Sequence, residues 1–187
     1  MVREATLPLL FVLSPALQPD ADARLERQVR RSLLRREPVV LGTAAEPYAP
    51  VLSRSPLHLL LAEEGLEIRI TTSTPRIQRE IDLLVELDRR HSVEVRMLVR
   101  SVGDSPPLLE AVRGLAAEGI AMTLLFQAFP GGEETLRFLL EETLAAGALE
   151  VEMETGSLRR SERARLLALF RRLRLEYGFP RGMVGRG

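Results

Sequence analysis

Regular alternation between strand-like and helix-like segments most limits how this chain can fold. Short runs rich in apolar and β-branched residues recur at intervals of roughly 26–32 residues, and a stretch with helical periodicity follows each run. Strands that alternate with helices in this way pair in parallel, so the pattern predicts an α/β fold with outer helices. The six predicted strands are residues 7–13, 39–43, 67–72, 93–99, 121–127 and 149–153.

Turn-forming residues mark the borders of the predicted helices. Thr74 followed by Pro75 is a typical helix start, because proline at the first helical position loses no hydrogen bond. Gly119 and Gly147 are typical helix ends, since glycine adopts the left-handed conformation at low cost. Pro56 makes the connection through residues 50–65 the least regular. The residues predicted to face inward are Leu25, Val29, Leu33, Ile77, Ile81, Leu84, Val85, Leu108, Val112, Leu115, Leu136, Leu139, Leu140, Leu144, Leu166, Leu169, Phe170 and Leu173.

Length limits the architecture further. The chain has 187 residues, which suits one domain. A complete eight-unit barrel typically needs about 250 residues. We therefore expect residues 1–179 to form a single partial (β/α)6 TIM-like barrel of parallel strands with outer helices. Residues 180–187, rich in glycine and arginine, are expected to form a flexible tail.

Composition excludes several classes of function. The chain has no cysteine, so disulfides, thiolate nucleophiles and cysteine-held metal sites are excluded. Its 26 acidic residues balance 26 basic residues, all of them arginine, and aromatic residues make up only 4%. Nucleic-acid binding is therefore not supported. The apolar run at residues 7–13 is too short to span a bilayer or to act as a signal peptide, which favours a cytoplasmic protein without membrane contact.

The last predicted helix, residues 160–177, carries arginines opposite its apolar face. Such a face is either simply solvated or binds an acidic partner. The arginines are Arg159, Arg160, Arg163, Arg171, Arg172 and Arg174.

Three stretches of the sequence are similar to a known enzyme family. Residues 37–50 read EPVVLGTAAEPYAP, residues 70–84 read ITTSTPRIQREIDLL, and residues 108–131 combine a leucine- and alanine-rich helix, a strand and a Pro-Gly turn. Together they resemble the spore-photoproduct-lyase-like branch of the radical S-adenosylmethionine (SAM) enzymes, in the same order along the chain. The resemblance covers about residues 38–147 and implies the barrel of that family.

The sequence departs from this family where the family's chemistry takes place. In the family, a C-x3-C-x2-C loop after the first strand holds an iron–sulfur cluster that binds SAM. Residues 13–22 of this chain read LSPALQPDAD, without a thiol. Two family aspartates fall on Ala44 and Glu46, and a family lysine falls on Ser73. The resemblance thus implies a degenerate member without a cluster, a pseudoenzyme with no cofactor.

Residues at the carboxyl ends of the predicted strands are candidates for ligand binding, because open α/β sheets bind ligands at that edge. The turn Gly131-Gly132 before Glu133 resembles an anion-binding loop. The alternative is a tight turn whose glutamates complement the helix dipole. No residue is assigned a catalytic role or a metal. The candidates are Ser14, Thr43, Glu46, Thr72, Ser73, Arg100, Ser101, Gln127, Gly131 and Gly132.

Other polar residues have structural interpretations. Glu46 and Tyr48 could supply an acid and a phenol, although a carboxylate among prolines is more often a loop or cap residue. His58 lies among leucines and is expected to be partly buried, and His91 is expected to have a structural role at a helix end.

Three functional hypotheses follow. The first is a non-catalytic radical-SAM-like domain that acts as a partner or regulatory subunit, or as a homo-oligomer. The second is a module that binds SAM or another nucleotide without iron. The third is a metal-independent enzyme, which would need two titratable side chains within about 3 Å of each other in its pocket.

Overall fold

Five strands and six helices alternate along the chain in the computed structural model, which describes residues 27, 29–35, 37–42, 55–127, 132–154 and 159–179. The strands are β1 (Val39–Leu41), β2 (Glu67–Thr72), β3 (Ser92–Val99), β4 (Ala121–Gln127) and β5 (Glu150–Glu154). The helices are α1 (residues 29–35), α2 (Ser55–Leu60), α3 (Ile81–Asp88), α4 (Ser105–Ala117), α5 (Glu133–Ala145) and α6 (Arg160–Glu176). Short 3-10 segments, Pro75–Glu80 and Val102–Asp104, lead into α3 and α4.

All five strands pair in parallel and form one sheet in the order β1-β2-β3-β4-β5. The predicted α/β class is therefore confirmed. The predicted strands at 67–72 and 121–127 match β2 and β4, and the other three differ by one or two residues at their ends. The first predicted strand, residues 7–13, lies outside the described residues, as does the tail at 180–187.

The chain-order arrangement of the strands places the helices on one face of the sheet. A parallel connection between neighbouring strands is almost always right-handed, so successive connections between strands in chain order cover the same face. Neighbouring helices are also in contact: α2 with α3, α4 with α5 and α5 with α6, while the 3-10 segment Pro75–Glu80 contacts both α3 and α4. We call this side of the sheet the helix face and the other side the polar face.

The hydrophobic core lies between the sheet and these helices. Alternate strand residues point toward the helices and are fully buried, including Ile70, Met97 and Leu124. Phe126 of β4 meets Phe170 of α6 edge to face, with ring centroids 6.4 Å apart. These buried side chains form one continuous cluster.

Several element borders that local sequence signals predicted are present in the structure. The Thr74 hydroxyl accepts a hydrogen bond from the backbone N–H of Arg76 at 3.3 Å, and Pro75 is the first helical residue. Gly119 and Gly147 end α4 and α5 with φ angles of 86°, a conformation that favours glycine. Pro56 lies in the first turn of α2, where it does not break the helix.

Three predicted orientations are wrong. Leu33 and Leu144 are 46% and 48% exposed, because Ser32 and Thr143, one residue earlier on each helix, take the buried positions. Arg174 is buried, although it was predicted to lie on the exposed arginine face of the last helix. Its guanidinium donates to the carbonyl oxygen of Val151 at 3.4 Å, so it bonds the backbone of edge strand β5.

We expect Phe170→Ala to lower the free energy of unfolding by about 3–5 kcal/mol, because it leaves a cavity beside Phe126. The matched control is Phe138→Ala, whose ring is 50% exposed on α5 and should cost about 1 kcal/mol or less. Urea unfolding of the two variants measures both values. Equal losses would contradict the position of the core.

Candidate functional site

Charged and polar side chains occupy the polar face of the sheet. Because side chains alternate along a strand, these residues lie opposite the buried core residues of the same strands. The register places Arg69 beside Glu94, Arg96 beside Thr123, and Thr123 beside Glu150. The charged members on β2, β3 and β5 are Glu67, Arg69, Glu94, Arg96, Glu150, Glu152 and Glu154.

Glu94 is the centre of an ion-pair network across three strands. One carboxylate oxygen accepts from Arg69 Nε at 2.7 Å, and the other accepts from Arg96 Nε and Thr123 Oγ1, both at 2.9 Å. Partial burial raises the pKa of Glu94. The hydrogen bond and charge of Arg96, the hydroxyl of Thr123 and the charge of Arg69 outweigh this effect, so the pKa is lowered overall. Glu94 is therefore held as a carboxylate.

Glu152 on β5 extends the network but has the opposite electrostatic balance. Its carboxylate accepts from Arg96 Nη2 at 2.5 Å. Burial nevertheless raises the pKa of Glu152; the charge of Arg96 opposes this, while the like charges of Glu150 and Glu94 add to it. The two glutamates that share Arg96 thus have pKa values shifted in opposite directions.

Further bonds on the polar face lie toward both edges of the sheet. Arg69 Nη2 donates to Glu67 at 3.0 Å, and Gln127 Nε2 donates to Glu154 at 3.3 Å. Arg69 and Arg96 therefore bind two glutamates each. Arginine does not lose its proton near neutral pH, so these close pairs are not the acid–base pairs that a metal-independent enzyme would need.

The predicted site residues within the described part lie near the carboxyl edge of the sheet. Thr72 ends β2, but its side chain is fully buried and its hydroxyl accepts the N–H of Thr74 at 3.2 Å. Ser73 follows it and is half-buried. Arg100 and Ser101 follow β3 and are exposed, and Gln127 ends β4.

The register shows which of these candidates are neighbours. Val99 pairs with Phe126, so Arg100 and Gln127 follow next on adjacent strands. Thr72 pairs with Met97, which comes three residues before Arg100. The candidates on β2 therefore lie farther from the carboxyl edge of the sheet than Arg100 does. Ser14, Thr43, Glu46 and Gly131 lie outside the described residues.

Gly132 precedes α5 in an extended conformation, with φ of −74°. The first turn of the helix carries Glu133, which pairs with Arg137 at 3.0 Å and with Arg172 of α6 at 2.7 Å. The hydrogen bond from Arg137, together with Arg172, lowers the pKa of Glu133 despite some desolvation. A carboxylate at this helix start complements the dipole and repels a phosphate, which favours the tight-turn interpretation.

The two histidines have different environments. His58 is exposed, so the prediction that it is partly buried is wrong. His91 is buried, and its Nδ1 accepts the N–H of Leu66 at 3.2 Å while Nε2 donates to the carbonyl oxygen of Leu60 at 2.9 Å. It joins the end of α2 to the residue before β2. This arrangement fits the structural role predicted for His91.

A groove of about 580 Å³ runs along α3 and contains none of the predicted site residues. It lies among the helices rather than at an end of the strands. Its lining residues are Ile81, Asp82, Val85, Glu86, Arg89, Arg90 and Glu118.

Sequence reasoning missed the network because it examined the strand ends and not the strand centres. The signal was present as charges at alternate positions, in EIRITT of β2, SVEVRMLV of β3 and EVEME of β5. A strand covered by helices on both faces reads as a continuous apolar run, whereas charges at every second position indicate one face without such a cover.

We expect Glu94→Gln to lower the free energy of unfolding by about 1.5–3 kcal/mol at neutral pH, because the charged hydrogen bonds to Arg69 and Arg96 weaken. The pKa of Glu94 is lowered in the folded state, so its contribution is present above the unfolded pKa and is lost as pH falls through the folded pKa. Urea unfolding should show a larger deficit of the variant at about pH 7 than at about pH 3.

Glu152→Gln is the matched control. The raised pKa of Glu152 means that its ionisation disfavours the folded state, and the stability from its neutral form is lost as pH rises through the folded pKa. A neutral glutamine should therefore cost less at neutral pH than Glu94→Gln. Equal costs would contradict the electrostatic difference between the two glutamates.

Radical SAM enzymes hold an iron–sulfur cluster, and the residues of this chain do not fit one. The whole sequence has no cysteine and only two histidines. Among the described residues, no three histidine, aspartate or glutamate side chains come together as a ligand set, and no helix there is long and apolar enough to cross a membrane. Searches of family models and of curated proteins found no match to this sequence.

Proposed function

We propose that this protein is a non-catalytic radical-SAM-like domain that acts by binding a protein partner, as a partner or regulatory subunit. Its scaffold in this proposal is a partial (β/α)6 barrel, in which residues 7–13 supply the sixth strand beside the five-stranded sheet. In this proposal the chain retains the fold because the fold binds a partner, and not because it catalyses a reaction.

The ion-pair network of Glu94 carries the proposal. In a barrel, the polar face of this sheet would be the interior, where a cofactor and substrate need space and polar groups directed toward them. Here Glu94 binds Arg69 and Arg96, and Arg96 also binds Glu152, at distances of 2.5–2.9 Å. Charged side chains that satisfy one another are not available to hold a reacting group.

The chemistry of the network also supports a non-catalytic role. A general acid or base needs a proton that moves near the working pH. Glu94 is held ionised, and its two arginine partners keep their protons. Glu152 has a raised pKa, but its near neighbour is again Arg96. The groups therefore stabilise the fold rather than transfer protons.

The first experiment tests for catalysis. The purified chain is incubated anaerobically with iron, sulfide and a reductant and is then given SAM. We expect no bound iron at one cluster per chain and no reductive cleavage of SAM, since the chain offers no thiolate. Stoichiometric iron or cleaved SAM would overturn the proposal.

The second experiment separates the partner role from the SAM-binding alternative. Calorimetric titration with SAM should give no heat, and SAM should not raise the melting temperature. Co-expression with a cysteine-bearing radical SAM protein of the same genome should give a complex that survives size-exclusion chromatography. Saturable SAM binding without such a complex would favour the small-molecule module.

A further inference from the structure

The polar face carries surplus negative charge. Along β2, β3 and β5 it holds five glutamates against two arginines. The central arginines are engaged with Glu67, Glu94 and Glu152, so the surplus lies at the β5 margin. Glu150 and Glu154 lie there two positions on either side of Glu152, on the same face of the strand. We call Glu150, Glu152 and Glu154 the acidic margin.

The surplus positive charge of the chain lies on α6. Residues 159–174 contain seven arginines and one glutamate. Arg160 and Arg171 are exposed, and their separation of eleven positions, close to three helical turns, brings both side chains to the same side of the helix. We call the side of α6 that carries these two residues the arginine stripe.

The two surfaces match in spacing as well as in charge. Arg160 and Arg171 are about 16 Å apart along the axis of a regular helix. Glu150 and Glu154 are about 13 Å apart along a strand. Long arginine side chains can accommodate the difference, so one helix can place a guanidinium on each end of the acidic margin.

One molecule cannot bring these surfaces together. Phe170 of α6 packs on Phe126, which faces the helices, whereas the acidic margin lies on the opposite face of the sheet. Direct pairing of two β5 edges is also disfavoured, because an antiparallel pair would place glutamates of the two copies opposite one another. The attraction can be satisfied between copies through α6.

We propose that the arginine stripe of one copy binds the acidic margin of a second copy, so that the chain associates head to tail. This inference rests on the proposed function and adds a second copy of the chain to the protein partners that it can bind. The contact joins two different surfaces, and such contacts build rings or chains rather than a closed two-fold dimer. A net charge of zero, with opposite charges on opposite sides of the sheet, suits this kind of assembly.

Sedimentation velocity of the full chain over a range of concentrations tests this proposal. Species larger than the monomer should form at about 0.01 M salt and dissociate at about 1 M salt, where charges are screened within about 3 Å. A wild-type chain that stays monomeric at all concentrations in low salt would overturn the inference. That result would leave the non-catalytic proposal intact, because the iron and SAM experiments test it separately.

Two charge-reversed variants sharpen the test. Glu150→Arg with Glu154→Arg reverses the acidic margin, and Arg160→Glu with Arg171→Glu reverses the arginine stripe. Each variant alone should be monomeric. An equimolar mixture should associate again, since each variant retains the surface that the other has lost. A mixture that stays monomeric would contradict the proposed contact.

Controls separate this contact from general effects of charge. Glu110→Arg with Glu118→Arg makes the same change in net charge on the surface of α4 and the residues after it, and should associate like the wild type. If reversal at β5 disturbs folding, Glu150→Gln with Glu154→Gln should still weaken association by about tenfold, as expected for the loss of two partly exposed ion pairs. Unchanged association of the glutamine variant would refute the role of the acidic margin.

Discussion

Parallel connections between strands in chain order place the connecting helices α2 to α5 on one face of the sheet, and the polar groups on the other face bind one another. The core strands show the consequence residue by residue. Val95 and Met97 of β3 are buried against helices, while Glu94 and Arg96, which alternate with them along the strand, point the other way. Isolated charges on a half-buried face would be costly, and here Arg69 and Arg96 each bind two glutamates of that face.

This constraint connects the fold to the function we propose. A sheet whose polar face is crossed by bonds from Arg69 through Glu94 and Arg96 to Glu152 is held together across four strands. The same bonds use the polar groups that a cofactor-binding barrel would direct at its ligand. What remains unbalanced is charge at the margins, which suits recognition of another macromolecule better than chemistry on a small one.

The periodic features of the sequence predicted much of the fold. Alternation of strands and helices gave the parallel sheet, and Thr74, Pro75, Gly119 and Gly147 gave element borders, because these signals act locally. The charged face could have been predicted from the charges at alternate strand positions, but its individual ion pairs could not, since they depend on the register that brings Arg69 beside Glu94. Orientations near helix ends failed for a related reason: tertiary packing, not periodicity, buried Thr143 in place of Leu144.

A double-mutant cycle between Glu94 and Arg96 tests most directly whether the polar face is held by its own ion pairs. The free energies of unfolding of Glu94→Gln, Arg96→Met and the double variant give the coupling between the two side chains. The account predicts a favourable coupling of about 1–3 kcal/mol that persists in high salt, as expected for partly buried charges. A coupling of about zero would contradict it.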